Sequence, residues 1–73
     1  MNTKKFIEIA YKRAEDLRPG DIFRESADSQ WRLVTDRSID DSGRPTIRWN
    51  DAGGWVAWVT SPLILVEVQR ELP

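Results

Sequence analysis

The chain has 73 residues, of which 40% are hydrophobic, and a formal net charge of −1. This length suits one small domain, residues 1–73. The sequence contains neither cysteine nor histidine, which excludes disulfides, thiolate or imidazole metal sites, and the usual thiol nucleophile or imidazole base of enzymes. The apolar runs, such as Pro62 to Val66, are far shorter than the roughly 20 residues of a membrane helix, and the amino terminus does not resemble a signal peptide. We therefore expect a cytoplasmic protein that uses no cofactor or metal and does not enter a membrane.

The amino-terminal stretch fits two secondary structures. As a helix, residues 3–17 place their apolar side chains on one arc, with Thr3 as a suitable cap. As a strand, Ile7, Ile9 and Tyr11 alternate with polar or small neighbours, and residues 14–17 form a single turn. Periodicity alone slightly favours the helix.

Turn residues divide the middle of the chain. Pro19-Gly20 suits a type II turn and predicts that a strand begins at residues 21–23. Residues 25–30 are polar without periodicity and indicate a loop. Residues 31–35 are rich in β-formers, and residues 40–43 carry a dense turn signal.

The second half of the chain has the pattern of a hairpin followed by a final strand. Residues 46–49 alternate polar and apolar side chains, residues 50–54 supply a tight turn, and residues 55–59 form the returning strand. Ser61-Pro62 interrupts the pairing, and a last strand covers residues 63–69. Five short strands predict an all-β fold, either a small barrel or a curled sheet. The alternative is an α+β fold in which a helix at residues 3–17 packs on a curled sheet.

Three segments, residues 14–23, 31–34 and 46–49, together resemble small SH3-like barrel proteins of actinobacteria and their phages. In that family a strand usually precedes a leucine-proline-glycine-aspartate turn, and the last strand closes the barrel against the first. The resemblance implies an SH3-like barrel of five to six short antiparallel strands, with a strand at the amino terminus. It implies little about function, because this kind of fold supports many activities.

Four tryptophans in so short a chain are the main functional signal, since each buries on the order of 200 Å² and needs a partner for its indole N–H. In a strand, Trp55 and Trp58 must point to opposite faces, so that one of them lies outside. Trp49 shares a face with Ile47 and is expected in the core. An outer tryptophan near an arginine is typical of interaction hot spots. The alternative is that it merely covers an end of the barrel or packs under the amino-terminal segment. The candidate binding residues are Trp55, Trp58, Trp31, Arg32 and Arg48.

Other chemistry has weaker support in the sequence. An oxygen-rich segment has Asp36, Ser38 and Asp40 at every second position. It lacks the glycine and the final acidic residue that a calcium-binding EF-hand loop requires. The adjacent acids Asp40 and Asp41 are expected to form a turn rather than a catalytic pair.

We therefore expect a small non-catalytic binding module, such as an accessory protein of a phage or mobile element, whose partner is an unidentified protein. That module would use the outward aromatic face and the loop at residues 25–30. The alternative is a nucleic-acid-binding barrel with an aromatic stack and one basic face. That face would combine Lys4, Lys5, Lys12, Arg13, Arg32 and Arg48. An uncovered strand edge leaves dimerisation open.

Overall fold

The computed structural model describes residues 6–72, and within them the fold is all-β, as predicted. The strands are β1 Ile7–Arg13, β2 Ile22–Arg24, β3 Arg32–Leu33, β4 Asp36–Ile39, β5 Pro45–Asp51, β6 Gly54–Val59 and β7 Leu65–Glu71. They form a four-stranded sheet in the order β1-β7-β2-β3 and a three-stranded sheet in the order β4-β5-β6. All neighbouring strands are antiparallel. In the described part of the chain the strands thus make two separate sheets, neither of which closes into a barrel.

The amino-terminal helix is wrong for the residues that the structure describes. Residues 7–13 form β1, which pairs with β7 along its whole length, from Ile7 opposite Glu71 to Arg13 opposite Leu65. The ladder to β7 supplies backbone partners from a distant part of the chain, and such tertiary contacts override a weak local helix preference. A 3-10 turn at Ala14–Asp16 follows, in agreement with the strand interpretation. Residues 3–5 of the predicted helix lie outside the described residues.

The hydrophobic core lies between the two sheets and receives side chains from both. Its buried members are Leu17, Phe23, Val34, Ile47, Trp49, Val66 and Val68. Phe23 is at the centre, edge-on to Trp49 with 5.6 Å between ring centroids and stacked on Trp58 at 6.0 Å. These ring contacts fix how the three-stranded sheet sits on the four-stranded one.

The strand boundaries differ from the predictions mainly around β4. The strand predicted at residues 31–35 is only Arg32–Leu33, and β4 at Asp36–Ile39 was not predicted. This strand is short and polar, with no alternation to reveal it, and it forms because β5 offers it hydrogen-bonding partners from Pro45 to Arg48. The final strand is shifted by two residues, to Leu65–Glu71.

Candidate functional site

The four tryptophans occupy four different environments. Trp49 is buried, and Trp58 is half-buried against Phe23. Trp31 is half-buried, with the guanidinium carbon of Arg24 4.3 Å from its ring centroid. Trp55, by contrast, is 70% exposed. The prediction that one member of the Trp55/Trp58 pair lies outside is therefore confirmed, and the outer residue is Trp55.

Trp55 is outside because of its position in the β5–β6 hairpin. It follows directly after Gly54, which has a φ of 118°. Residues other than glycine rarely adopt this backbone conformation. The Asp51 carboxylate accepts a hydrogen bond from the Gly53 N–H at 2.8 Å and so stabilises the turn. The two-residue period of β6 puts Trp55 and Trp58 on opposite faces. Trp58 packs on Phe23 in the core, so Trp55 points to solvent.

The outward side of the three-stranded sheet is referred to here as the Trp55 face. Its members are Trp55, Ala57 and Val59 on β6, Thr46, Arg48 and Asn50 on β5, and Asp36 and Ser38 on β4, as the strand registers require. Ala57, which is exposed, lies directly opposite Arg48. The indole and the guanidinium therefore start from diagonal positions of one sheet, about 7–8 Å apart at their Cα atoms. Of the five predicted site residues, the fold brings Trp55 and Arg48 to this common surface.

Arg48 is held in place by its strand neighbours. Its Nη1 lies 3.3 Å from an Asp36 carboxylate oxygen and 3.2 Å from the Ser38 hydroxyl. Both partners belong to β4, the strand that the sequence did not reveal. The side chain of Arg48 remains 40% exposed, so the face has an aromatic side and a polar, charged side.

Three predicted site residues lie elsewhere. Trp58 faces the core, Trp31 packs under Arg24, and Arg32 lies over the Trp49 ring at 4.7 Å while pairing with Glu25 at 3.0 Å. Glu25 belongs to the loop at residues 25–30, whose contacts with Arg32 tie it to the four-stranded sheet. The loop is thus anchored to the four-stranded sheet, whereas Trp55 belongs to the three-stranded one.

The basic residues of the predicted nucleic-acid surface are dispersed. Lys12 pairs with Asp21 at 3.0 Å on the four-stranded sheet, and Arg13, the next residue of β1, points to the opposite face of that sheet. Arg48 belongs to the other sheet and Arg32 is paired with Glu25. Lys4 and Lys5 lie outside the described residues. The four described cations thus do not share a face.

A second exposed surface was not anticipated from the sequence. On β1, Ile7, Ile9 and Tyr11 are 55%, 49% and 65% exposed, whereas Glu8 and Lys12 are on the side of Ala10, which packs against the core. Antiparallel sheets commonly show the reverse arrangement, with apolar residues inward. The alternation of β1 was visible in the sequence, but the direction of its apolar side depends on its register with Val66 and Val68 of β7.

The acidic turn at residues 40–44 has a structural explanation. One carboxylate oxygen of Asp40 accepts hydrogen bonds from the Ser42 hydroxyl at 2.7 Å, the Ser42 N–H at 2.9 Å and the Arg44 N–H at 2.9 Å. The Ser42 hydroxyl bond, followed by the Arg44 amide, holds the pKa of Asp40 below its ordinary value. Asp40 is therefore a turn former, as predicted. Residues 6–72 contain no group of three or more acidic side chains placed to share a metal ion.

Comparisons with protein-family models, curated proteins and solved structures give no match to this chain. Across residues 6–72 there is also no helix whose length and hydropathy would allow it to span a bilayer.

Proposed function

We propose that this chain is a small non-catalytic module that binds another protein through the Trp55 face. The observation that carries the proposal is the 70% exposure of Trp55 on a regular strand, beside Arg48. Tryptophan and arginine are the residue types most enriched among interface hot spots. A role as an accessory protein of a phage or mobile element is part of this proposal.

The way in which Trp55 is mounted supports a binding role. The same strand that exposes Trp55 places Val56 and Trp58 against the core. The exposed ring is therefore carried by a rigid element, and a tryptophan has only two side-chain torsions to restrict on binding. Both features lower the entropic cost of forming a complex.

The surroundings of Trp55 have the layout of a protein interface. Val59 and Ala57 extend the apolar part along β6, while Arg48, Asp36 and Asn50 provide hydrogen-bonding groups at its side. An apolar centre with a polar margin is the usual arrangement at protein interfaces. A shallow hollow lined by Arg44, Val59, Thr60 and Ser61 adjoins the Val59 end and offers a site for a partner's side chain.

The charge distribution favours a protein over a nucleic acid as the partner. Nucleic-acid affinity depends largely on several unpaired cations that neutralise phosphates along one face. Here Lys12, Arg32 and Arg48 each have a carboxylate partner within 3.3 Å. The net charge of −1 adds no general attraction for phosphate.

The test compares variants as bait in nuclease-treated lysate of the native cell. We expect the wild-type bait to retain at least one partner protein. Neither the Trp55→Ala bait nor the Arg48→Ala bait should retain it. The matched control is Leu33→Ala, which truncates a side chain that is 53% exposed on the four-stranded sheet and should retain the partner. With the purified partner, the loss of affinity for Trp55→Ala should be 2 kcal/mol or more, about 30-fold.

Two results would contradict the proposal. One is a partner that survives Trp55→Ala and Arg48→Ala but is lost with Leu33→Ala, which would move the site to the other sheet. The other is binding to a fluorescent single-stranded oligonucleotide at low salt that falls steeply as salt is added and is abolished by Trp55→Ala. That behaviour is typical of phosphate contacts with base stacking and would establish the nucleic-acid alternative.

A further inference from the structure

The free edge of β1 has the properties of a site for a second copy of the same chain. β1 is an edge strand of the four-stranded sheet, and among residues 6–72 its sheet neighbour is β7 alone. Proteins normally keep edge strands short, interrupt them with a bulge or cover them, because their free backbone groups pair readily with another strand. β1 is regular from Ile7 to Arg13.

The hydrogen-bonding phase of β1 determines which backbone groups face the free edge. The Leu72 N–H donates to the Phe6 carbonyl at 2.9 Å, and the Ala14 N–H donates to the Ile64 carbonyl at 2.8 Å. Both contacts have the register of the β1–β7 ladder, in which every second residue bonds to the partner strand. The even-numbered residues of β1 therefore bond to β7. The backbone N–H and C=O groups of Ile7, Ile9, Tyr11 and Arg13 point to the free edge.

The side chains of β1 are complementary to those of β1 in a second copy when the two strands are centred on Ala10. If a second β1 pairs antiparallel with Ala10 opposite Ala10 of the copy, Ile9 lies opposite Tyr11 and Glu8 lies opposite Lys12. This register joins odd-numbered residues by hydrogen bonds, as the free-edge groups require. It also sets each acidic side chain against a basic one, and each pair occurs twice by symmetry.

Neighbouring registers are less favourable. A shift of two residues places Glu8 or Lys12 opposite Ala10 and loses the charge pairing. A shift of four sets Glu8 opposite Glu8 or Lys12 opposite Lys12, which is repulsive across a strand pair. Charge therefore selects one register among those that the backbone allows.

The existing ion pairs extend this arrangement. Glu8 lies 3.3 Å from Arg70, and Lys12 lies 3.0 Å from Asp21. Joining two chains at β1 would link them into a network running from Arg70 through Glu8 to Lys12 and Asp21 of the copy. The outward position of Ile7, Ile9 and Tyr11 is also explained, because paired strands bring Ile9 and Tyr11 of the two copies side by side.

We propose that the protein forms a symmetric homodimer by antiparallel pairing of β1 with β1 of a second copy, centred on Ala10. The two four-stranded sheets then become one continuous eight-stranded sheet. This inference does not depend on the proposed function, since the Trp55 face belongs to the other sheet and remains open in the dimer.

The test uses a single introduced cysteine, because the natural chain has none. In the proposed register Ala10 faces its copy in a non-hydrogen-bonded pair, with Cα atoms about 4.5 Å apart, within the 4.4–6.8 Å that a disulfide spans. Under mild oxidation at roughly 10 µM protein, Ala10→Cys should form a covalent dimer about 100-fold faster than random encounter, since pairing raises the effective concentration to the millimolar range. Near-UV circular dichroism checks that the variant keeps its fold.

The matched control is Ala57→Cys, an exposed alanine at the centre of β6, which is an edge strand of the other sheet. It should cross-link only at the rate of random encounter. Faster cross-linking of Ala57→Cys than of Ala10→Cys would overturn the proposal and place self-pairing at β6. Equal, slow cross-linking of both variants would also overturn it.

Charge exchange tests the register. In sedimentation equilibrium, Glu8→Lys and Lys12→Glu should each weaken the dimer about tenfold, because two attractive cross-strand pairs become repulsive. The double variant should recover most of that loss. A wild-type protein that is monomeric at every concentration, or single variants with unchanged dimerisation, would refute the pairing.

Discussion

The two tryptophans of β6 should contribute unequally to stability, which is tested first by Trp58→Ala. Trp58 is half-buried and stacks on Phe23 with an interplanar angle of 9°. If its ring buries roughly 150 Å², at about 25 cal/mol per Å² the loss is about 4 kcal/mol. Total stability for a domain of this size is roughly 4–11 kcal/mol, so Trp58→Ala should remove a large fraction of it.

Trp55→Ala is the matched comparison on the same strand. With 70% of Trp55 exposed, about 60 Å² is left to bury, which is worth at most about 1.5 kcal/mol. The two variants should therefore differ by roughly 2–3 kcal/mol, or about 10–20 °C in the thermal midpoint of a domain this small.

The assay is urea unfolding of both variants and wild type, followed by far-UV circular dichroism and analysed by linear extrapolation. The dependence of free energy on urea should be similar in the three proteins, because the same chain unfolds each time. Equal destabilisation by Trp55→Ala and Trp58→Ala, or a larger loss for Trp55→Ala, would refute the orientation of β6 and with it the Trp55 face.

Two further predictions concern turns. Hydrogen bonds from Ser42 and Arg44 keep the pKa of Asp40 below its ordinary 3.8 in the folded state, so the stability that this carboxylate provides is present above that value and is lost as pH falls through the lower folded pKa. Urea midpoints measured at about pH 6 and about pH 3 should therefore fall more for wild type than for Asp40→Asn; identical falls would contradict the hydrogen bonds to Asp40. Gly54→Ala should cost about 1–3 kcal/mol, because an alanine is strained at a φ of 118°. Gly53→Ala is its control, since the added Cβ meets Asp51 at an ordinary 3.5 Å, and an equal loss of stability in both variants would show that the strain is not specific to Gly54.

The two proposed surfaces are on different sheets and would bind through different kinds of interaction. The Trp55 face presents a rigid aromatic side chain to another protein, whereas the β1 edge presents backbone groups and matched charges to its own copy. A dimer joined at β1 would carry two Trp55 faces, so that a partner with two binding sites would gain affinity through effective concentration. Comparing Trp55→Ala with Glu8→Lys separates the two surfaces, because each variant should affect one of them.

The sequence alone determined those features that depend on local stereochemistry. The two-residue period of residues 55–59 requires Trp55 and Trp58 to oppose each other wherever the strand lies. The turn at Pro19-Gly20 and the turn between β5 and β6 follow from residues that favour such conformations locally. The absence of cysteine and histidine likewise limited the chemistry before any fold was known.

Tertiary structure decided which of the locally allowed arrangements is realised. Residues 7–13 suited a helix or a strand, and pairing with β7 selected the strand. β4 has no pattern of its own and exists because β5 supplies its hydrogen bonds. Phe23, more than 30 residues away along the chain, determined that Trp58 rather than Trp55 faces inward. Periodicity states which side chains share a face, whereas the side that is buried depends on contacts between distant segments, and these a local pattern does not contain.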